Sequence, residues 1–196
     1  MGIAADTTEN LMEIQTTGYR KTQELGKIFA QEILRKGPQE KAVILALAGG
    51  LGGGKTTFSQ GFAKGLGVKN KITSPTFAIF KRFKTDLARN RALQKINFKN
   101  FYHFDCYRLL GPKDILELGF KEIVSSPENI ILLEWAERVK KVLPKETIWL
   151  QFDFIGKNKR RIVLDKDKTS KRCKNAVEKG GKKQLKDRLI ISSKPQ

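Results

Sequence analysis

The stretch from Gly49 to Thr56, GGLGGGKT, constrains this chain more than any other part of its sequence. It fits G-x-x-x-x-G-K-S/T, the pattern of phosphate-binding loops. An apolar run at residues 42–48 precedes it, as a buried parallel strand would, and residues 58–66 have the apolar spacing of a helix. Strand, glycine loop and helix in this order are the context that the motif requires. They predict nucleotide binding rather than a flexible glycine turn.

The residue types in this loop suit a polyphosphate. Glycines let backbone N–H groups curl around phosphate oxygens without side-chain clashes. The N-terminus of the following helix adds a favourable dipole. We expect Lys55 to reach the β- and γ-phosphates, and we expect the Thr56 hydroxyl to bind Mg²⁺.

The charge of the chain is high and unevenly placed. The 196 residues carry a formal net charge of +19, yet residues 1–18 contain three acids and no Lys or Arg. Residues 166–196 contain eleven Lys or Arg against three acids. Such a tail either attracts a polyanion such as RNA or keeps the protein in solution. Cys106 and Cys173 make no metal framework, and the absence of a signal peptide or a membrane-length apolar run favours a reduced, cytoplasmic setting.

Hydrophobic patterning predicts an α/β fold of the P-loop NTPase type, a three-layer sandwich whose mixed sheet is parallel at its centre and antiparallel at its edges. Strands are expected at residues 42–48, 77–83, 101–107, 130–133, 148–155 and 161–164. Helices are expected from Thr17 or Gly18 to about Leu34, at residues 58–66, from Pro112 to about Gly119 and at residues 136–142. The expected organisation is a loosely structured N-terminus at 1–16, a P-loop domain at 17–165 with a basic loop insertion at 84–99, and a poorly ordered basic tail at 166–196.

Two predicted strands end in acids that could complete a phosphate site. Residues 101–104 lead into Asp105, and residues 130–133 lead into Glu134. Because the carboxyl ends of strands line the ligand crevice of an open α/β sheet, either acid could bind Mg²⁺, and Glu134 could instead orient an attacking water. The alternative is that these acids cap turns or pair with Arg108 or Arg138.

Three further features are weaker when taken alone. The Ser74-Pro75-Thr76 segment lies where switch proteins place a hydroxyl that senses the γ-phosphate, although it is also ordinary loop chemistry. His103, the single histidine, is more typical of a packed strand residue than of a catalyst. Trp135 either belongs to the core or contacts nucleotide.

Together, four blocks of sequence resemble the TsaE (YjeE) family of small bacterial ATPases of tRNA threonylcarbamoyladenosine synthesis. The blocks are Leu51-Gly52-x-Gly54-Lys55-Thr56-Thr57-Phe58, Ser74-Pro75-Thr76, His103-Phe104-Asp105-x-Tyr107-Arg108-Leu109 and Glu134-Trp135. The resemblance spans roughly residues 17–164. The four blocks in this order are specific, whereas the phosphate loop alone is not.

The resemblance implies a weak Mg²⁺-dependent ATPase that binds ATP or ADP. It further implies that the protein acts together with the TsaD–TsaB pair. In that pair TsaD modifies an adenosine beside the tRNA anticodon, and ATP hydrolysis by the TsaE-type protein resets the complex between turnovers. The implied nucleotide-binding residues are Gly52, Gly53, Gly54, Lys55, Thr56, Thr57 and Trp135. The implied metal ligands are Thr56, Glu134 and Asp105, and the implied catalytic residues are Asp105, Glu134 and the switch residue Thr76.

The chain departs from the family pattern at two loop positions. Gly50 stands where the family usually has Asp, and Gly53 stands where it usually has Ala. We expect the first change to alter hydrolysis or partner contacts without abolishing phosphate binding. The basic segment at 84–99 and the tail look longer than the family core needs, and contact with tRNA through them is a further expectation.

Other classes of protein compete with this interpretation. A small-molecule kinase also pairs a phosphate loop with strand-end acids, and Arg89 and Arg91 could belong to its lid, but nothing marks an acceptor site. A regulatory GTPase would use N-K-x-D to read guanine, whereas the segment at 70–73 ends in Thr73 and follows the loop too closely. A nucleic-acid-binding module is supported by the charge alone.

Overall fold

The computed structural model describes residues 11–37, 40–73, 78–87 and 98–165. Its strands are β1 (Leu11–Thr17), β2 (Val43–Ala48), β3 (Phe80–Lys84), β4 (Asn100–Asp105), β5 (Asn129–Glu134), β6 (Ile148–Gly156) and β7 (Lys159–Asp165). Its α-helices are α1 (Gly18–Lys36), α2 (Lys55–Gly65), α3 (Pro112–Leu116) and α4 (Phe120–Ser125), and 3₁₀ helices form at Cys106–Arg108 and Ala136–Val142. In this described part of the chain, no helix is long and apolar enough to cross a bilayer.

The strands form one mixed sheet in the order β1-β7-β6-β2-β5-β4-β3. The four central strands β6, β2, β5 and β4 run parallel to one another. The edge strands β3, β7 and β1 pair antiparallel with their neighbours. The predicted α/β fold, with a parallel centre and antiparallel edges, is therefore confirmed.

Each face of the sheet is covered by helices, because alternate residues of a strand point to opposite faces. On β2, Leu45 and Leu47 belong to the core under α1 and α2, whereas Ile44 and Ala46 belong to the core under α3 and α4. A strand buried on both faces reads as a continuous apolar run, which is why the run at 42–48 was informative. The three layers of the predicted sandwich follow from this arrangement.

The helices α1 and α2 approach each other so closely that their crossing requires glycine. A Cβ atom on Gly61 would lie 1.8 Å from the carbonyl oxygen of Gln23, and one on Gly26 would lie 2.2 Å from that of Phe58. Real Cβ atoms do not come this near to backbone, so any side chain at either position would separate the helices. This contact fixes α2, which begins at Lys55, against α1.

The structure corrects several predicted element boundaries. Residues 11–16 were expected to be loosely structured, but β1 pairs in full with β7 and buries Met12 and Ile14. The period-2 alternation of residues 11–17 was the signal for this strand. The strand predicted at 77–83 begins at Phe80, and the strand predicted at 101–107 ends at Asp105, where a 3₁₀ turn takes over. Helix α4 was not predicted.

Candidate functional site

Parallel pairing brings the phosphate-binding loop and the two strand-end acids to one edge of the sheet. Glu134, at the end of β5, is paired with Leu47 on β2 and with Asp105 on β4. A cleft of about 580 Å³ opens at this edge. All the predicted site residues except Thr76 line it, namely Gly52, Gly53, Gly54, Lys55, Thr56, Thr57, Asp105, Glu134 and Trp135. Thr76 lies outside the described residues, and the roles of all ten remain predictions.

The first glycine of the loop is required by its contact with β6. Gly49 has a φ of 124°, and a Cβ atom there would lie 2.1 Å from the carbonyl oxygen of Phe152. No other residue type fits both the dihedral angle and the space. The start of the loop therefore lies directly against the middle of β6.

The Lys55 ammonium is held at the floor of the cleft. Its Nζ donates hydrogen bonds to the carbonyl oxygens of Gly49 at 2.6 Å and Gly50 at 2.8 Å. The same atom lies 3.7 Å from the centre of the Trp135 ring, within cation–π distance. Burial lowers the pKa of Lys55, and the nearby carboxylate of Glu134 opposes that shift. Two carbonyl oxygens and an aromatic face thus hold the ammonium beside the loop, and they offset only part of the cost of burying its charge.

Trp135 adopts a backbone conformation that bulky residues rarely take. Its φ of 58° makes it the one non-glycine residue in the described ranges with a positive φ. Conformations of this kind cost on the order of 1–3 kcal/mol and cluster at functional sites. Here the turn after Glu134 places the indole over Lys55 and 5.0 Å from the ring of Tyr107. Trp135 both lines the cleft and packs against the core under α3 and α4, and its contact with nucleotide remains a prediction.

Glu134 is the centre of a buried hydrogen-bond network and is 1% exposed. Its Oε2 accepts a bond of 2.6 Å from the Thr56 hydroxyl. Its Oε1 lies 2.8 Å from both the Ser59 hydroxyl and His103 Nε2. Ser59 also lies 3.0 Å from the carbonyl oxygen of Lys55, and its single hydrogen can serve one of the two acceptors at a time. One carboxylate oxygen is thus held by the protein interior, and the other is directed to the phosphate-binding loop.

The network keeps this acid ionised although it is buried. Burial by itself raises the pKa of Glu134, but the hydrogen bonds from His103, Thr56 and Ser59 outweigh it and the pKa is lowered. His103 is fully buried, as expected for a packed strand residue. It also contacts Glu134, a link that the sequence did not reveal.

Asp105 differs from Glu134 in its surroundings. It is half-buried, and its Oδ1 accepts a bond of 3.1 Å from the backbone N–H of Tyr107. Asp105 therefore caps the 3₁₀ helix at Cys106–Arg108, in agreement with the alternative that this acid caps a turn. It also lines the cleft. Arg138 donates a hydrogen bond of 3.2 Å to the carbonyl oxygen of Leu109.

The sequence did not mark Ser59, which is buried behind the cleft, or several residues that line the cleft. Ser59 lies one helical turn after Lys55, and this spacing was the signal that could have placed it near Glu134. Tyr19 and Asn158 also line the cleft, together with Arg160, whose Nε donates to the carbonyl oxygen of Gly52 at 2.9 Å. These residues come from α1, the β6–β7 turn and the start of β7, and no local motif marks them.

The donor atoms beside the loop suit Mg²⁺. Thr56, Glu134 and Asp105 offer a hydroxyl and two carboxylates, and Mg²⁺ prefers one or two such oxygens together with phosphates and water. Across the described ranges, no group of three or more His, Cys, Asp or Glu side chains is arranged to hold a metal. A soft-metal cage is therefore not formed by these residues.

A parallel-centred sheet with a G-x-x-x-x-G-K-T loop between β2 and α2, and acids at the ends of the neighbouring strands, defines the P-loop class of α/β proteins. Within that class, the family model described as threonylcarbamoyl adenosine biosynthesis protein TsaE matches residues 16–162. The chain belongs to the TsaE family.

Individual relatives agree with this assignment. The tRNA threonylcarbamoyladenosine biosynthesis protein TsaE of Haemophilus influenzae is 35% identical over 129 residues, which are 66% of this chain and 73% of that protein. Its namesake in Rickettsia typhi is 36% identical over 149 residues, or 76% of this chain and 90% of that protein. The crystal structure of Bacillus subtilis YdiB superposes with a TM-score of 0.60 at 26% identity, covering 86% of this chain and 95% of YdiB.

Proposed function

We propose that this chain is a Mg²⁺-dependent ATP-binding and ATP-hydrolysing subunit of the tRNA threonylcarbamoyladenosine system. In this role it acts with the TsaD–TsaB pair, and its hydrolysis of ATP resets that complex between turnovers. The observation that carries the proposal is the bond between Thr56 and the buried, ionised Glu134 beside Lys55. Family membership supports the tRNA-modification role.

The surroundings of the two acids support different tasks for them. A carboxylate of lowered pKa is a weak base, so Glu134 suits metal binding and the orientation of Thr56. Asp105 is more accessible and lines the same cleft, so it suits the orientation of an attacking water. Mg²⁺, when bound, neutralises charge that develops on the phosphate oxygens, and the Lys55 ammonium adds to that effect.

Hydrolysis of ATP measured with and without purified TsaD–TsaB tests this function, with tRNA modification followed in the same tube. We expect slow hydrolysis alone, faster hydrolysis with the pair, and modification that continues past a single turnover. Asp105→Asn should lower hydrolysis by about tenfold or more while ATP still binds. Hydrolysis that ignores TsaD–TsaB, or phosphoryl transfer to an added small-molecule acceptor, would contradict the proposal and favour a kinase.

A further inference from the structure

The sheet ends at β3, and positive charge is concentrated along this edge of the molecule. Exposed Lys and Arg side chains lie on β3 and at the end of α2 with the residues just after it. Residues 64–73 and 78–86 together contain six Lys or Arg and a single acid, Asp86. We call the six cations the basic edge, and they are Lys64, Lys69, Lys71, Lys81, Arg82 and Lys84.

The two segments of the basic edge lie next to each other. Lys69 Nζ is 3.1 Å from the Asp86 carboxylate, which follows β3 by two residues. A Cβ atom on Gly67 would lie 2.9 Å from the carbonyl oxygen of Asp86, so the backbones also approach closely. The end of α2 and the end of β3 therefore form one surface. One acid can neutralise only one of its six cations.

The cations of β3 lie on both faces of the sheet edge. Phe83 packs against the core under α1 and α2, and Lys81 shares its face because alternate residues of a strand point the same way. Phe80 packs against the core under α3 and α4, and Arg82 and Lys84 share that face. Residues two positions apart in a strand are about 7 Å apart. An anionic chain that follows the edge would thus meet cations on either side of it.

Arg82 is oriented by neutral groups that leave its charge uncompensated. Its Nε and Nη2 donate to the Asn100 side-chain oxygen at 3.1 and 2.8 Å, and its guanidinium carbon lies 5.9 Å from the centre of the Tyr102 ring. Neither partner carries a charge. The two bonds use two of the five N–H donors of the guanidinium, so the others are left for a phosphate.

We propose that the basic edge binds the phosphate backbone of RNA. This proposal rests on the proposed function, which puts the chain in a tRNA-modifying system, and it adds a second binding surface to that role. The nucleotide cleft is lined by other residues. β3 is separated from β2, which leads into the phosphate-binding loop, by β4 and β5.

The chemistry of the basic edge suits phosphates rather than bases. Its aromatic neighbours Phe83 and Tyr102 pack against the two cores, so they offer no open face on which a base could stack. Lysine and arginine that contact phosphates bind independently of sequence and release counterions. The basic edge should therefore recognise a folded RNA through its backbone.

A different role for edge lysines explains only part of this charge. Charged side chains on an edge strand prevent it from pairing with another chain, and this could account for the cations of β3. It does not account for Lys64, Lys69 and Lys71, which lie outside the strand. The charge is also local, since α1 carries five Lys or Arg against two acids and residues 112–128 carry two against four.

The affinity of the full-length chain for an unmodified tRNA transcript, measured over a range of salt concentrations, tests the proposal. Combined Lys81→Ala, Arg82→Ala and Lys84→Ala should weaken binding by about tenfold or more at low salt. The slope of log K against log salt should become shallower by about 2–3, since about 0.7–0.9 is lost per phosphate contact. As a matched control, Lys140→Ala, Lys141→Ala and Lys145→Ala remove the same charge from exposed residues of another segment, and the slope should change by less than about 1.

A second variant leaves the edge strand unaltered. Combined Lys64→Ala and Lys71→Ala should make the slope shallower by about 1–2 without exposing β3 to pairing with other chains. It therefore keeps the proposal testable if the β3 variant aggregates. An unchanged slope in the Lys64→Ala and Lys71→Ala variant, or in a soluble β3 variant, would overturn the basic edge as an RNA-binding surface.

Hydrolysis of ATP by the same proteins separates this proposal from the proposed function. Both basic-edge variants should hydrolyse ATP alone as the unaltered chain does, because the cleft is intact. If they bind tRNA normally but lose stimulation by TsaD–TsaB, the surface docks a protein and the RNA proposal is wrong. An unaltered chain that responds to TsaD–TsaB but binds no tRNA would overturn the basic edge alone. An unaltered chain that does not hydrolyse ATP even with TsaD–TsaB would overturn the function itself.

Discussion

His103 Nε2 lies 2.8 Å from Glu134 Oε1, and both side chains are almost fully buried. The two residues are on neighbouring parallel strands, β4 and β5, and are two positions out of register. The pair directs the second oxygen of Glu134 to Thr56. We therefore expect His103 to be a positioning residue: it orients Glu134 and does not itself contact the nucleotide.

Replacement of His103 by Ala should weaken both the fold and hydrolysis. The lost hydrogen bond and the cavity should lower the free energy of unfolding by about 2–4 kcal/mol. Misplacement of Glu134 should lower the hydrolysis rate by about tenfold or more, with a smaller effect on ATP affinity. Urea unfolding and single-turnover hydrolysis would measure these two quantities.

Two further variants distinguish positioning from general loss of structure. His103→Gln keeps a nitrogen donor within reach of Glu134 and should recover most of the hydrolysis rate. Leu164→Ala creates a cavity in the core under α1 and α2, on strand β7, which is three strands away from β5 and Glu134 in the sheet. If Leu164→Ala lowers hydrolysis as much as His103→Ala at equal stability, His103 has no positioning role.

Trp135 should report the movement of Lys55 when ATP binds. Lys55 Nζ lies 3.7 Å from the indole, and it must leave the carbonyls of Gly49 and Gly50 to reach a phosphate. The chain has two tryptophans, so Trp149→Phe leaves Trp135 as the single reporter. We expect its emission to change and to saturate as ATP is added.

Lys55→Ala in that background should weaken ATP by about 10- to 100-fold, since charge-assisted hydrogen bonds are lost. Lys64→Ala removes an exposed lysine from the last turn of the same helix and should titrate normally. An ATP titration curve that is the same with and without Lys55 would contradict the assignment of the phosphate-binding loop.

Restoration of the usual family residue at position 50 should be tolerated by the fold. A Cβ atom on Gly50 meets nothing within 4 Å, and its φ is not in the region that favours glycine. Gly50→Asp should therefore change the free energy of unfolding by about 1 kcal/mol or less. ATP should still bind, and any change should appear in the hydrolysis rate.

Gly49→Ala changes the neighbouring glycine of the same loop and should have the opposite outcome. Its Cβ atom would lie 2.1 Å from the backbone of Phe152, so the loop must move away from β6. We expect ATP binding to be lost and the midpoint of thermal unfolding to fall. Equal behaviour of Gly49→Ala and Gly50→Asp would contradict the geometry of the loop.

The sequence predicts the part of this site that local patterns encode. The loop from Gly49 to Thr56 has a fixed spacing, and Asp105 and Glu134 end apolar runs whose parallel pairing follows from the fold class. The strand β1 was missed because its seven residues alternate weakly and lie beside a polar terminus.

Contacts between segments that are distant in the sequence could not be predicted from local patterns. His103 and Glu134 are 31 residues apart, and Arg160 and Gly52 are 108 residues apart. Such pairs depend on strand order and register, which set every neighbour across a sheet. The positive φ of Trp135 could not be predicted either, because glycine is the residue type whose presence indicates such a conformation.

The Cys106 thiol should be inert in the folded protein. Its side chain is fully buried, and burial together with the nearby carboxylates of Asp105 and Glu137 raises its pKa far above the ordinary value of 9.0. The reactive thiolate is then scarcer than in a free thiol at any pH near neutrality.

In a Cys173→Ser variant, iodoacetamide at about pH 8 should leave the native chain unmodified, and an increase to about pH 9 should not change this. Unfolding in guanidinium should expose one thiol that reacts at the ordinary rate. Fast labelling of the native variant would mean that the turn after β4 opens, together with the part of the cleft that Asp105 lines.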